Sequence, residues 1–135
     1  MFASAIILQT AKREGMIVNS DSPSEWMTSG PGAQRRILCE NEELMMVEFR
    51  FEKDGQGLWH NHPHTQTTYV SSGSFQFTVG DETKILNPGD AMLIPPHAFH
   101  KCLCLEAGIL LDAFTPRRED FMDAHGWNKK PKEAE

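Results

Sequence analysis

The chain has 135 residues, room for one hydrophobic core but not for two catalytic domains side by side. With 39% hydrophobic residues, eight Phe and three Trp against 24% charged residues, its composition is that of a globular protein and excludes a disordered or fibrous one. Nineteen acidic against thirteen basic residues leave a formal charge of -6, which repels a phosphate backbone, so no nucleic-acid partner is expected.

At the N-terminus the apolar run from Ala5 to Leu8 falls far short of the ~20 residues a bilayer requires. Lys12 and Arg13 follow that run, whereas the basic residues of a secretory leader precede it. No membrane partner and a cytoplasmic location are therefore expected. Residues 1–34 read as an N-terminal strand and an irregular arm, because Pro23, Gly30, Pro31, Gly32 and several serines interrupt residues 19–34.

From there apolar residues recur at every second position. Val47, Phe49 and Phe51 form one such run, Phe75, Phe77 and Val79 a second, Ala91 and Leu93 a third, and Ile109, Leu111 and Ala113 a fourth. Turn signals separate them at Asp54-Gly55, Ser72-Gly73, Gly80-Asp81 and Asn87-Pro88-Gly89-Asp90. Short strands at this spacing predict an all-β, single-domain sandwich or barrel over residues 35–121. Residues Arg118 to Gly126 are expected to form one short C-terminal helix, running from the end of the barrel into a tail that spans 122–135 and frays from Lys129 onward. Cys39, Cys102 and Cys104 are an odd number, and two of them alternate along one strand, so all three are expected to be reduced thiols.

Four polar donors stand at even positions: His60, His62, His64 and Gln66. Alternate side chains of an extended strand share a face, so His60 and His62 can reach a single ion, with Pro63 bending the chain just beyond them. His97 and His100 follow the stiff segment Ile94-Pro95-Pro96, which makes a chelate from two distant segments possible. Three neutral imidazoles and a carbonyl oxygen suit one borderline divalent metal, with Zn, Ni, Mn, Fe, Co or Cu selected by availability. His125, next to Gly126, reads as a surface or hydrogen-bonded histidine. Asp112 and Phe114 share one face of their strand. Two placements fit that pattern: lining the same interior as the ion, or Asp112 pairing with Arg117 or Arg118 at the surface while Phe114 packs in the core. Arg35 and Arg36 open another strand-like run, where one can point inward to hold an anion or both can lie at the barrel mouth.

The histidine spacing resembles the two-part motif of the cupins, small double-stranded jelly-roll β-barrels. In the first part His60-Asn61-His62, Gln66 and Gly73 are in register, while the leading glycine is offset by one at Gly55. In the second, Gly89, Pro95 and His100 fall in register, with His97 in a glycine's slot and Cys104 in an asparagine's. Gln66 stands where cupins usually carry a glutamate, which removes a negative charge from the ligand shell and favours Lewis-acid over oxidative chemistry.

Within the cupins the chain is similar to the pectin-degradation, KdgF-type group, which converts 4,5-unsaturated uronate monosaccharides to linear keto forms. The matching stretches are Trp26 with Pro31 to Leu38, His60 to Gln66 with Tyr69-Val70, Ile94 to Pro96, and Leu111 to Phe121. The resemblance implies a homodimeric, metal-dependent enzyme that linearises or isomerises a small anionic sugar acid. It implies His60, His62, Gln66 and His100 as metal ligands, and Asp112, Phe114 and Arg118 as the family's D-x-F-x-x-x-R catalytic residues. Arg118 and Arg35 would bind the substrate's carboxylate, and His64 and His97 would line the pocket. Thr65 and His97 depart from the acid and asparagine common at those positions. The rival readings are a non-catalytic sensor that binds a small anion in the same pocket and an iron-dependent dioxygenase, the latter disfavoured by the neutral Gln66.

Overall fold

The computed structural model describes residues 15–21 and 25–128. Residues 1–14 of the expected N-terminal strand and arm, residues 22–24 and the charged tail from Lys129 onward lie outside the described residues. Eight strands follow in chain order: β1 (Met27–Gly30), β2 (Ala33–Glu40), β3 (Met45–Phe51), β4 (Gln56–His60), β5 (Thr65–Val79), β6 (Glu82–Leu86), β7 (Ala91–Ile94) and β8 (His100–Thr115). One helix, α1 (Glu119–Ala124), closes the described chain. This is the all-β, single-domain barrel that the period-two pattern predicts.

All pairings are antiparallel, and β5 and β8 form the spine. These two strands are long enough to run through both layers of the barrel. Thr65 to Val70 of β5 pair with Leu110 to Thr115 of β8, whereas Phe75 to Val79 pair with His100 to Cys104. Register shifts between Val70 and Phe75 mark the bend that separates the two halves. The first half lies in a sheet with β1, β2, β3 and β7, the second in a sheet with β4 and β6. The bend depends on glycine: Gly73 has φ +82, and a Cβ on Gly108 would collide with the Ser72 carbonyl and Gly73 Cα.

Between the layers lie two apolar clusters. Phe51, Val70, Phe75, Phe77, Cys102, Cys104 and Leu110 form one, with the Phe51 ring edge-on to Phe75 at 5.2 Å. Ile37, Met45, Val47, Phe114, Phe121 and Met122 form the other, so α1 is docked on the barrel by its buried Phe121 and Met122.

The sheet starts earlier than the sequence pattern suggests. Residues 27–30 and 33–34 were expected in the irregular arm, yet Met27 pairs with Arg35 and Gly30 with Ala33. The Pro31-Gly32 signal is the turn of a hairpin, with Gly32 at φ +63, so the residues that broke the pattern are the ones that fold it back. The helix is likewise shorter than Arg118 to Gly126, with Arg118 as its N-cap residue and His125 as its C-cap.

Candidate metal centre

His60 ends β4 directly opposite His100, the first residue of β8. The His60 and His100 rings are 4.3 Å apart between centroids, and His62 lies 5.0 Å from His100 and 5.5 Å from His60. Strand alternation is not what brings His60 and His62 together. β4 stops at His60, and His62 sits in the following turn, where its carbonyl accepts the His97 backbone N–H at 2.7 Å. One ligand atom from each of His60, His62 and His100 falls within 4.8 Å of the others.

Hydrogen bonds to backbone carbonyls orient two of these rings. His60 Nδ1 lies 2.7 Å from the Leu58 carbonyl and His100 Nδ1 lies 2.9 Å from the Ala98 carbonyl. Only an N–H can meet a carbonyl, so Nδ1 carries the proton and the Nε2 lone pair is left for an ion. His100 Nε2 is buried and has no hydrogen-bond partner. The Gln66 amide donates through Nε2 to Thr68 Oγ1 and Asp112 Oδ2, both at 3.0 Å. That directs its oxygen to within 2.9 Å of His62 Nε2.

Electrostatics favour the neutral rings of His62 and His100. Burial first, then the Arg118 charge and the neighbouring imidazoles, bring His62 down to about 4, and burial also lowers His100 and His64. Three imidazoles and an amide oxygen, with His62 Nδ1 and His100 Nε2 both buried and unpartnered, fit a borderline divalent metal. Burial pushes Asp112 up to about 7, opposed by its Thr68 hydrogen bond and by Arg118.

Beside the cluster is a cavity of about 320 Å³ whose wall includes His60, Gln66, His100, Phe114, Arg118 and Arg35. Its size falls in the lower part of the range for small-molecule sites. Asp112 faces the barrel interior, not the surface, but it sits behind Gln66 and does not form part of the cavity wall. Its Oδ1 is buried without a partner. His64 is half-buried, 5.3 Å from the His62 ring and 6.4 Å from Phe114, and it too lies off that wall. His97 is exposed at φ 70, and with its N–H on His62 and its carbonyl accepting Asn61 Nδ2 it braces the ligand turn instead of lining the pocket. Cys39, Cys102 and Cys104 are free thiols. Burial raises Cys102 to about 12, so in the metal-free protein its thiol stays protonated.

The arginines surround Phe121. The guanidinium of Arg118, itself buried, lies 4.0 Å from the Phe121 ring and 5.0 Å from Phe114, and that of Arg35 lies 3.8 Å from Phe121. Arg118 donates from Nε and Nη2 to the two carboxylate oxygens of Asp120, at 2.9 and 2.7 Å, and Arg35 Nε donates to His125 Nε2 at 3.2 Å. Phe121 and Asp120, both on the cavity wall, are therefore site residues that sequence reasoning missed, while His125 is hydrogen-bonded, one of the two placements its sequence position suggests. The signal available for them was proximity to Arg118 in an Arg-Arg-Glu-Asp-Phe run.

A two-layered antiparallel barrel holding a histidine cluster from β4, the following turn and the start of β8 defines a cupin. A family model described as "Cupin domain" matches residues 47–111. The chain is 38% identical over 104 residues to the pectin degradation protein KdgF of Dickeya dadantii (strain 3937), covering 76% of this chain and 94% of that protein. KdgF from Halomonas sp. superposes with a TM-score of 0.74 at 34% identity, covering 79% of this chain and 98% of that one. An RmlC-like cupin from Shewanella frigidimarina NCIMB 400 superposes with a TM-score of 0.74 at 38% identity, covering 79% and 96%. The chain belongs to the KdgF-type pectin-degradation group of the cupins.

The two strongest pKa shifts in the centre act on stability in opposite directions. In the metal-free protein at pH values between about 4 and 6.5, the unfolded chain holds a proton on His62 that the folded chain does not, so stability rises with pH. Between 3.8 and about 7 the folded chain holds a proton on Asp112 that the unfolded chain does not, so stability falls with pH. Replacing Asp112 by Asn removes only the falling contribution. In chelator, the urea midpoint of the variant should climb more steeply from pH 4 to 6.5 than that of the parent; equal slopes would show that Asp112 titrates normally.

Proposed function

We propose that the protein is a metal-dependent enzyme that opens and ketonises a 4,5-unsaturated uronate or a closely related small sugar acid. The observation that carries this reading is one cavity wall that brings two members of the three-histidine cluster, His60 and His100, together with two guanidinium groups, Arg35 and Arg118. A cyclic enol ether bearing a carboxylate needs its anion held, an oxygen polarised and protons moved to carbon. Arg118 and Arg35 hold the carboxylate, their planar forks supplying paired hydrogen bonds. Phe114 and Phe121 exclude water from the same wall and keep the guanidinium planes in place. His60, His62, His100 and Gln66 would hold a divalent ion, which when bound would supply Lewis acidity toward a sugar oxygen. Asp112 is the acid/base group: a carboxyl near neutral pH can both hold and release a proton, its Oδ1 has no competing partner, and from behind Gln66 it would reach the sugar through one water and not by direct contact. Gln66, hydrogen-bonded to Asp112 and exposed to the cavity, positions that carboxyl relative to the sugar.

For the expected homodimer, the outer face carrying exposed Met46, Tyr69 and Leu93 is the surface a second copy would bury. The activity is tested by mixing metal-loaded protein with freshly lyase-generated unsaturated galacturonate, or its alginate counterpart, and following loss of the ring by NMR. Ring loss is expected to outpace the buffer reaction by orders of magnitude, and the buffer rate in the presence of protein would overturn the proposal.

A further inference from the structure

Arg118 and Arg35 sit on the same cavity wall and approach one phenyl ring, yet they are held in different ways. Among the described residues, Arg35 meets His125 Nε2 and Met27 Sδ and no carboxylate. Arg118 meets both oxygens of Asp120 in the paired geometry that guanidinium groups offer to carboxylate ligands. The partners differ sharply in freedom. The Arg118 side chain is 9% exposed and wedged against Phe114 and Phe121, whereas that of Asp120 is 62% exposed and lines the cavity. A short acidic side chain in the first turn of α1 can rotate into water by giving up its Arg118 pairing and its contacts with the backbone N–H groups of Asp120 and Phe121; a buried guanidinium cannot leave its slot.

Resting on the sugar-acid reading above, we propose that Asp120 is an internal competitor for the substrate's carboxylate. It occupies the Arg118 fork in the empty protein and yields it to an incoming acid. The contest does two things. It spares Arg118, which already faces Arg35, an unpaired buried charge between turnovers. It also sets a threshold: only a ligand with a carboxylate placed to use both Arg118 donors displaces Asp120, so neutral sugars and singly bonding anions gain nothing there. Asp120 is thus a specificity-determining residue that acts through Arg118, and its removal should tighten the binding of acids.

The test compares Asp120→Asn with the parent, using galacturonate as a non-reacting acid and galactose as its neutral counterpart in calorimetric titrations. Asn keeps the side chain's shape while removing the competing charge. Galacturonate should bind roughly two- to fivefold more tightly to the variant, the range expected for loss of a partly exposed charge pair, with galactose unchanged. Weaker or unchanged galacturonate binding, or an equal change for both sugars, would overturn the proposal, because a merely structural Asp120 would loosen or alter both. In an Arg118→Gln background the substitution should have no effect, and a persisting gain would also overturn it. A separate readout is independent of the sugar: the Arg118 Nε–H resonance should respond to acetate at lower concentration in Asp120→Asn than in the parent. A gain for acetate without any binding of galacturonate would remove the sugar-acid reading and leave the competition standing, whereas no gain for acetate removes the competition itself.

Discussion

Asp112→Asn should lower turnover of the unsaturated uronate by about 10²–10⁴-fold, the usual contribution of a positioned general acid/base, while bound metal per chain remains unchanged. The substitution preserves side-chain volume and an acceptor for the Gln66 amide, which donates to Asp112 Oδ2 at 3.0 Å, so the ligand shell should persist. What it removes is a carboxyl that burial holds at about 7 and whose second oxygen has no partner. The same experiment separates the enzyme from its rival. A sensor that only binds an anion depends on Arg118 and Arg35, and in that case ligand-induced thermal stabilisation would survive in Asp112→Asn with no turnover in either protein. Turnover within a few-fold of the parent would remove Asp112 from the chemistry. Elemental analysis of the purified variant checks the metal, and single-turnover NMR checks the rate.

The parts of the architecture that were legible in the sequence are those with a short period. Phe75, Phe77 and Val79 alternate because one face of β5 is packed against the barrel interior, and that periodicity survives any uncertainty about partners. Pro31 and Gly32 were visible too, but as a break; only the pairing of Gly30 with Ala33 reveals that the break is a hairpin. The clustered histidines could be read from spacing, although His62 reaches the cluster through a turn and not through strand alternation. What lay beyond reach depends on contacts between distant residues. Asp112 sits behind Gln66 because β5 and β8 pair Thr68 with Asp112, a register that no local pattern encodes. Arg118 meets Asp120 and not Asp112 because the helix turns at Arg118 and brings its own acid back onto the guanidinium. Charge patterning alone gives no means of choosing between those two carboxylates.

Phe114→Ala should cost about 3–5 kcal/mol of folding stability, the range for removing a buried aromatic ring. Phe114 is 1% exposed and packs against Phe121 at 5.6 Å, His62 at 5.7 Å and His64 at 6.4 Å, with the Arg118 guanidinium 5.0 Å from its ring. A cavity left here removes the wall that holds His62 and Arg118 at once, so the metal and the substrate carboxylate should both bind more weakly. Phe75 provides the control. It is equally buried, but it packs on Phe51 and Phe77 in the other cluster, away from the imidazoles and the arginines. Phe75→Ala should therefore lose comparable stability by urea denaturation while keeping its KM when assayed well below its melting temperature. Phe114→Ala should raise KM and lower metal affinity under the same conditions. If the two variants lose activity only in proportion to the fraction unfolded, Phe114 is core packing and the D-x-F-x-x-x-R pattern has its chemistry in Asp112 and Arg118 alone. If Phe114→Ala raises KM while folded and Phe75→Ala does not, the phenyl ring acts on function by fixing the planes of the groups around it. Phe114→Leu, which refills much of the volume without a flat face for Arg118, should then recover most of the stability and little of the KM.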